Sequence, residues 1–247
     1  GAALAAISLA LGIAMAAVIA AAAAEHTAGE GNLSDRQLLF RIGDTEPFLV
    51  PERTPAELAR LRSEVDRLAA TLDHPAVVAL DAAVNPTDRE GRGGRVLRPA
   101  VKLGRRIGEH TLRDVAFLYV ATPELLGHLG VDPASVDPDT DVLTAHTGDL
   151  QFANLSNGGQ AKAGPRVETI DLPAHTSAPT SLITTNGLRR GGWRPAPAGW
   201  LVEARNPPSG AQLAQARQVA ADAGMTVETR DEQTELTAVR SGATAAG

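Results

Sequence analysis

The sequence predicts an α+β fold: one N-terminal transmembrane helix, then an extracytoplasmic domain of strand–helix–strand units that share a sheet, with an inserted β-rich subdomain. Three observations predict it. The first residues are apolar throughout, strand–helix–strand patterns stand near both ends of the remaining chain, and short strands separated by glycine and proline fill its middle. The predicted divisions are the transmembrane helix at 1–24, the α+β domain at 25–84 and 196–247, and the β-rich subdomain at 85–195.

Residues 1–24 contain no charged side chain and no proline, and a helix of this length reaches across the ~30 Å apolar core of a bilayer. Small residues recur at every fourth position, at Ser8, Gly12, Ala16 and Ala20. Such a face allows close approach of another helix, so these four residues are candidates for helix packing in the membrane. Two other interpretations stay open: a cleaved signal peptide and a buried helix of a soluble domain.

The charges that follow this helix predict its orientation. Glu25, Glu30 and Asp35 come before the first arginine, Arg36, whereas cytoplasmic flanks are normally rich in Lys and Arg. We therefore expect a plasma-membrane protein whose soluble domain lies outside the cytoplasm. A lack of cysteine is compatible with an extracellular domain of this size, because its core is large enough without disulfides. The net charge of −6 argues against nucleic acid as a partner.

The first strand–helix–strand unit has the clearest local signals. Alternating apolar residues predict a strand at 37–42. Thr54-Pro55-Ala56-Glu57 then supplies a capping hydroxyl, a proline at the first helical position and a glutamate three residues after the cap, so a helix should start there and run to residue 72. The β-branched run at 77–80 predicts the second strand.

A second unit of the same order stands near the other end. It comprises a strand at 199–205, a helix at 209–223 that ends at Gly224, and a strand at 225–230. Neither unit can bury its apolar faces alone, so both helices should cover one sheet. The four strands near 36–42, 77–81, 199–205 and 225–230 should then hydrogen-bond within that sheet.

Between the two units the sequence is rich in turn residues. The stretch 85–94, NPTDREGRGG, is predicted to form a turn, after which alternation at 97–103 indicates a strand that Pro99 would confine to an edge. Thr122-Pro123-Glu124 should open a short helix that ends at Gly130. The remaining predicted strands are 115–121, 142–145, 166–172 and 181–185.

The motifs of common catalytic and cofactor sites are missing. No Gly-Lys pair occurs, so the phosphate-binding loop of ATPases is absent, and neither GxSxG nor HExxH is present. The six histidines are widely separated, which argues against a zinc site. Asp137, Asp139 and Asp141 have calcium-loop spacing, but Val142 and Gly148 occupy positions that need glycine and glutamate, so a solvated acidic loop is expected. We expect no catalytic residue, cofactor or metal.

Two further features have a structural and a functional interpretation. The only basic cluster, from Arg89 to Arg106, is typical of a hairpin loop that runs into a half-exposed strand; contact with anionic headgroups or an acidic partner is the alternative. Its members are Arg89, Arg92, Arg95, Arg98, Lys102, Arg105 and Arg106. Trp193 and Trp200 flank a proline turn and are expected to anchor the core.

Three segments resemble one membrane-protein family. They are the apolar helix that runs into Gly31-Asn32-Leu33-Ser34, the stretch 119–126 (YVATPELL) followed by 129–133 (LGVDP), and Gly199-Trp200-Leu201-Val202. Together they resemble the actinobacterial type of FtsX/MacB ABC transporter permeases, in which a large extracytoplasmic domain follows the first of four membrane helices. The chain departs from that pattern because it carries one predicted span and no ATPase motif.

The resemblance implies a protein that is not itself an enzyme. ATP-driven movement of membrane helices would reach the extracytoplasmic domain, which would extrude a substrate or signal to an outside partner. The implied partners are the membrane, a separate ABC ATPase subunit, and a second permease copy or half. The alternatives are a membrane-anchored or secreted binding domain and, with less support from motifs, a hydrolase.

Overall fold

The computed structural model describes residues 32–42, 50–90, 96–106, 112–154, 164–172 and 177–230. The predicted transmembrane helix at 1–24, with Ser8, Gly12, Ala16 and Ala20, lies outside these residues. Within the described ranges, none of the helices combines the length and the apolar character needed to cross a membrane.

The described chain alternates short strands with a few helices. The helices are α1 (Pro55–Ala69), α2 (Pro123–His128), α3 (Thr185–Gly191) and α4 (Gly210–Ala223), and a 3₁₀ turn covers Pro133–Ser135. The strands are β1 (Gln37–Ile42), β2 (Val50–Pro51), β3 (Ala76–Glu90), β4 (Val96–Pro99), β5 (Val101–Arg106), β6 (Leu112–Phe117), β7 (Tyr119–Val120), β8 (Val142–Thr144), β9 (Leu150–Asn154), β10 (Val167–Thr169), β11 (Ser181–Ile183), β12 (Arg194–Glu203) and β13 (Met225–Glu228).

Most strands form one mixed sheet in the order β10-β8-β11-β7-β3-β12-β1-β13, with β4 also paired to β3 and β2 to β4. The predicted α+β class is confirmed. The predicted common sheet is confirmed as well, because β3, β12, β1 and β13 are neighbours in it. Strands β7, β8, β10 and β11 come from segment 85–195 and extend the same sheet. The division of the chain into domains stays a prediction.

Helices α1 and α4 cover the same face of this sheet, as the sequence predicted. Leu61 and Val65 of α1 and Ala216 of α4 share a buried cluster with Phe40 and Trp200. The local signals account for where both helices begin. Thr54 and Glu57 form a capping box at α1, and Ser209 and Gln212 form one at α4.

The opposite face of the sheet is covered by α2. Leu125 and Leu126 of this helix pack in a second buried cluster with Leu39, Leu80 and Leu201. Since side chains alternate between faces along a strand, Phe40 and Leu39 enter different clusters. The central strands are therefore buried on both faces.

A second, three-stranded sheet has the order β6-β5-β9 and corrects two predictions. The predicted strand 97–103 divides at Ala100, where the chain leaves the large sheet for the small one; the Ala100 N–H donates to the Ala83 carbonyl at 2.8 Å. The predicted strand 115–121 divides at Leu118, where the chain returns. Ala100 and Leu118, where the chain changes sheets, are both buried. The apolar pattern of the sequence therefore continues across each change and does not reveal it.

One other prediction about local structure was wrong, and two elements were not predicted. The predicted turn at 85–94 is strand as far as Glu90, with an irregular register between Val84 and Arg89. Pairing with β4 stabilises this stretch despite its turn-type residues. Strand β9 and helix α3 were not predicted. Helix α3 begins at the Thr184 cap, whose hydroxyl accepts from the Gly187 N–H at 2.9 Å.

Candidate functional site

The described chain enters and leaves the large sheet on adjacent strands. The first strand, β1, is antiparallel to the last strand, β13, and Leu39 is opposite Glu228 in the register. We call the residues that join these two strands, Asn32, Arg41, Glu228 and Thr229, the entry–exit junction. It is a candidate functional site because the first and the last segments of the chain that the structure describes are held together here.

Asn32 connects the incoming chain to the outgoing one. Its side chain is 1% exposed, and the Nδ2 group donates to Glu228 Oε1 at 2.7 Å and to the Thr229 carbonyl at 2.8 Å. The backbone carbonyl of Asn32 accepts from the N–H groups of Ser177 and Ala178 at 2.9 and 3.2 Å. Asn32 therefore hydrogen-bonds to two segments that are distant from it in sequence, at 177–178 and 228–229. These buried hydrogen bonds oppose separation of the segments.

An ion pair strengthens the same junction. Arg41 Nη1 lies 2.5 Å from Glu228 Oε2, and both side chains are largely covered. Burial alone lowers the pKa of Arg41, but the adjacent Tyr119 and Glu228 outweigh it and raise this pKa. Arg41 therefore stays charged, and Glu228 serves as acceptor for both Arg41 and Asn32.

Gly199 allows the strands to approach closely beneath this ion pair. It stands opposite Arg41 in the register of β1 and β12, at the point where β12 shifts its register against β3. A Cβ at Gly199 would lie 1.9 Å from the carbonyl oxygen of Phe40. No side chain larger than hydrogen fits at this position.

A second polar cluster surrounds Glu203, which is opposite Gln37 at the other end of β1. Glu203 Oε2 lies 3.1 Å from His128 Nε2 and accepts from Gln37 Nε2 at 3.0 Å, while Arg36 lies 3.3 Å from Oε1. The hydrogen bond from His128 is the main cause that lowers the Glu203 pKa to about 2; burial opposes it, and Gln37 and the charge of Arg36 add to it. This cluster ties α2 to the sheet.

The structure disperses the carboxylates that have calcium-loop spacing. Asp141 is 9% exposed and accepts from Arg190 Nε at 2.6 Å and from the Arg166 N–H at 2.9 Å, so this part of the predicted solvated loop is buried instead. Asp139 pairs with Arg166 at 2.9 Å, and Asp137 accepts from the backbone of Asp139. No group of three potential metal ligands occurs among the described residues.

The predicted basic cluster divides into different environments. Lys102 is buried and Arg105 partly buried, whereas exposed Arg106 pairs with Asp149 at 3.2 Å. Arg92 and Arg95 lie outside the described residues. The expectation that the tryptophans anchor the core is confirmed: Trp200 is 5% exposed in the core, and Trp193 packs edge-on against Phe152 with ring centroids 5.4 Å apart. The proline turn predicted between them is wrong, because residues 194–203 form strand β12 and pair with β3.

The sequence analysis did not identify the entry–exit junction as a site, although its residues lie in segments that it discussed. Asn32 was noted only within a resembling segment, and Arg41 and Glu228 only as positions in predicted strands. No spacing signal links Asn32 to Glu228, because they stand 196 positions apart. The prediction that both strands belong to one sheet was the one available hint, and it gave no strand order. Comparison of the chain with family models, curated proteins and solved structures gave no match.

Proposed function

We propose that this chain is the extracytoplasmic part of an ABC transporter permease, which couples ATP-driven movement of membrane helices to substrate extrusion or to an outside partner. The observation that carries the proposal is the entry–exit junction. A domain inserted between two membrane helices must receive and return the chain at neighbouring points, and Asn32 hydrogen-bonds directly to Thr229.

The junction also suits mechanical coupling. A displacement of the chain before Asn32 would act on Glu228 and Thr229 through hydrogen bonds of 2.7 and 2.8 Å, and through Glu228 on Arg41. Arg41 belongs to β1, which packs under α1 and α4 on one face and under α2 on the other. Movement at the junction would therefore reach both layers as a rigid-body shift, the common form of domain response.

The location part of the proposal is tested by cysteine labelling in intact cells. The chain has no cysteine, so Gln215→Cys on the exposed side of α4 provides a single reactive thiol. A membrane-impermeant maleimide should label it without lysis. The matched control is Ala216→Cys, the next residue, whose side chain is 0% exposed and should react only after unfolding. Labelling of Gln215→Cys that requires lysis contradicts an extracytoplasmic domain.

The transporter part is tested by purification from native membranes. A preparation isolated through this chain should contain an ABC ATPase subunit in fixed stoichiometry and should hydrolyse ATP. Asn32→Ala, which removes both side-chain hydrogen bonds at the junction, should leave that subunit bound but reduce the protein's transport or signalling output. A preparation without an ATPase subunit and without ATP hydrolysis contradicts the permease proposal.

A further inference from the structure

A second half-buried arginine stands on the small sheet, and within the part of the chain that the structure describes it forms no ion pair. Arg105 lies on β5, opposite Leu150 of β9. Its Nε is buried and has no hydrogen-bond partner within the described part of the chain, and the same holds for Nε2 of His146, in the loop after β8. Buried polar atoms without a partner are uncommon, and a bound water or ion is one of the usual reasons for them. The remaining one among the described residues is Asn32 Oδ1 at the entry–exit junction.

The loop that carries His146 packs directly on Arg105. The modest exposure of both side chains matches this arrangement. At Gly148 of the same loop the backbone has a φ of +106°, and a Cβ there would stand 3.3 Å from Arg105 Nε and 3.5 Å from its Cδ. Burial, and secondly the positive charge of Arg105, lower the pKa of His146. We call Arg105, His146 and Gly148 the small-sheet site.

The acid closest in sequence is committed to other partners. Asp149 Oδ2 lies 3.2 Å from Arg106 Nε, and Asp149 Oδ1 accepts from Gln151 Nε2 at 2.7 Å. Arg106 and Arg105 are consecutive on β5, so their side chains leave the strand on opposite faces. Among the described residues no carboxylate therefore pairs with Arg105, which lies beside the apolar residues Leu103, Leu150 and Phe152.

We propose that Arg105 and His146 bind a phosphate group. A guanidinium and an imidazole that approach from a strand and from a loop suit a tetrahedral oxyanion, because such an anion accepts hydrogen bonds from several directions. The surrounding apolar core lowers the local dielectric constant and strengthens the interaction. This inference is independent of the transporter proposal, since it concerns a different sheet.

Titration of the intact 247-residue chain with inorganic phosphate, in chloride buffer of constant ionic strength, tests the proposal. Calorimetry and the imidazole NMR signals of His146 should both show one saturable site, with a Kd of about 1 mM or lower. Arg105→Gln should weaken binding about tenfold, because a charge-assisted hydrogen bond is lost. Arg105→Lys, which keeps the charge but lacks the planar fork, should give an intermediate loss.

The matched control is Arg106→Gln, a neighbouring arginine on the same strand that already has Asp149 as its partner. It should change the phosphate affinity less than about twofold, since exposed charges contribute weakly. Equal weakening by Arg106→Gln would indicate diffuse surface charge and overturn the site. If the unmodified chain shows no saturation at about 20 mM phosphate, the proposed phosphate site is wrong. This result does not depend on whether the variants fold.

Two ligands distinguish possible sources of the phosphate group, and a third tests whether a carboxylate binds instead. Glycerol 3-phosphate represents soluble phosphomonoesters, glycerophosphoglycerol represents the phosphodiester of a lipid headgroup, and acetate represents carboxylates. Tighter binding of glycerol 3-phosphate supports a soluble ligand, and tighter binding of the phosphodiester supports a headgroup. Acetate binding that exceeds phosphate binding contradicts the assignment to phosphate.

Discussion

Arg41 and Arg105 are both partly buried strand arginines, and their surroundings differ. Arg41 on β1 has Glu228 at 2.5 Å, and the same carboxylate also accepts from Asn32. Arg105 on β5 has a buried Nε without a hydrogen-bond partner among the described residues. At the junction the charge holds two strands of the protein together. In the small sheet, by our proposal, it serves to bind a ligand.

The expected energetic consequences are opposite. Removing a partner from a satisfied ion pair leaves a buried charge uncompensated and destabilises the fold. Removing an arginine without a partner takes away no internal interaction of comparable strength and should affect ligand binding instead. The comparison therefore separates residues that support the fold from residues that serve binding, and each of the following predictions tests that separation.

The largest expected effect is that of Gly199→Ala, beneath the junction. Its Cβ would lie 1.9 Å from the Phe40 carbonyl oxygen, so the strands must separate and the free energy of unfolding should fall by about 3 kcal/mol or more. The counterpart at the small sheet is Gly148→Ala, where the nearest atoms belong to the flexible Arg105 side chain and the cost is mainly backbone strain, about 1 kcal/mol. Urea unfolding of the two variants measures both free energies of unfolding. Equal decreases in the two variants would contradict this prediction.

The next effect concerns the partner of Arg41. Glu228→Ala removes the counterion of Arg41 and one acceptor of Asn32, and should cost about 2 kcal/mol because the pair is partly exposed. Arg105→Gln should change stability by less than about 0.5 kcal/mol. A double-mutant cycle of Glu228→Ala with Arg41→Met should reveal coupling between the two sites. Additive single effects would show that the ion pair does not stabilise the junction.

A smaller effect should appear as pH dependence at Glu203. Because the folded-state pKa is about 2 against an ordinary value of 4.5, the ionised carboxylate stabilises the fold above pH 4.5, and this contribution is lost as the pH falls towards 2. Glu203→Gln should be less stable at neutral pH by about 1 kcal/mol, since solvent screens partly exposed pairs. Unfolding curves of both proteins should converge at low pH. A constant difference across this range would contradict the assigned role.

The smallest expected effect on stability is at His146. His146→Gln should alter the free energy of unfolding by less than about 0.5 kcal/mol, because its ring Nε2 has no described partner to lose. An NMR titration of the unmodified chain should give a midpoint below 6.5, and Arg105→Gln should raise it by removing a neighbouring positive charge. An unchanged midpoint in that variant would show that the two side chains are too far apart to act together.

Much of the α+β part could be predicted because its signals are local. A capping box, a proline at the first helical turn and a regular apolar face were enough to predict α1, and similar local features predicted α4. The common sheet was predicted because neither strand–helix–strand unit could bury the apolar faces of its strands alone. The strand pattern at 97–103 and 115–121 was also recognised, but alternation alone does not show that a strand changes sheets at Ala100 or Leu118.

The sequence by itself determined the α+β class, the helix starts and the apolar alternation of the central strands, because each depends on neighbours within a few residues. The tertiary structure alone decided which polar side chains meet. Asn32 reaches Glu228 across 196 positions, and Arg105 faces a loop that begins after another strand. Pairings at such separations depend on sheet order and register, which burial of the whole core sets, so no local pattern encodes the junction or the small-sheet site.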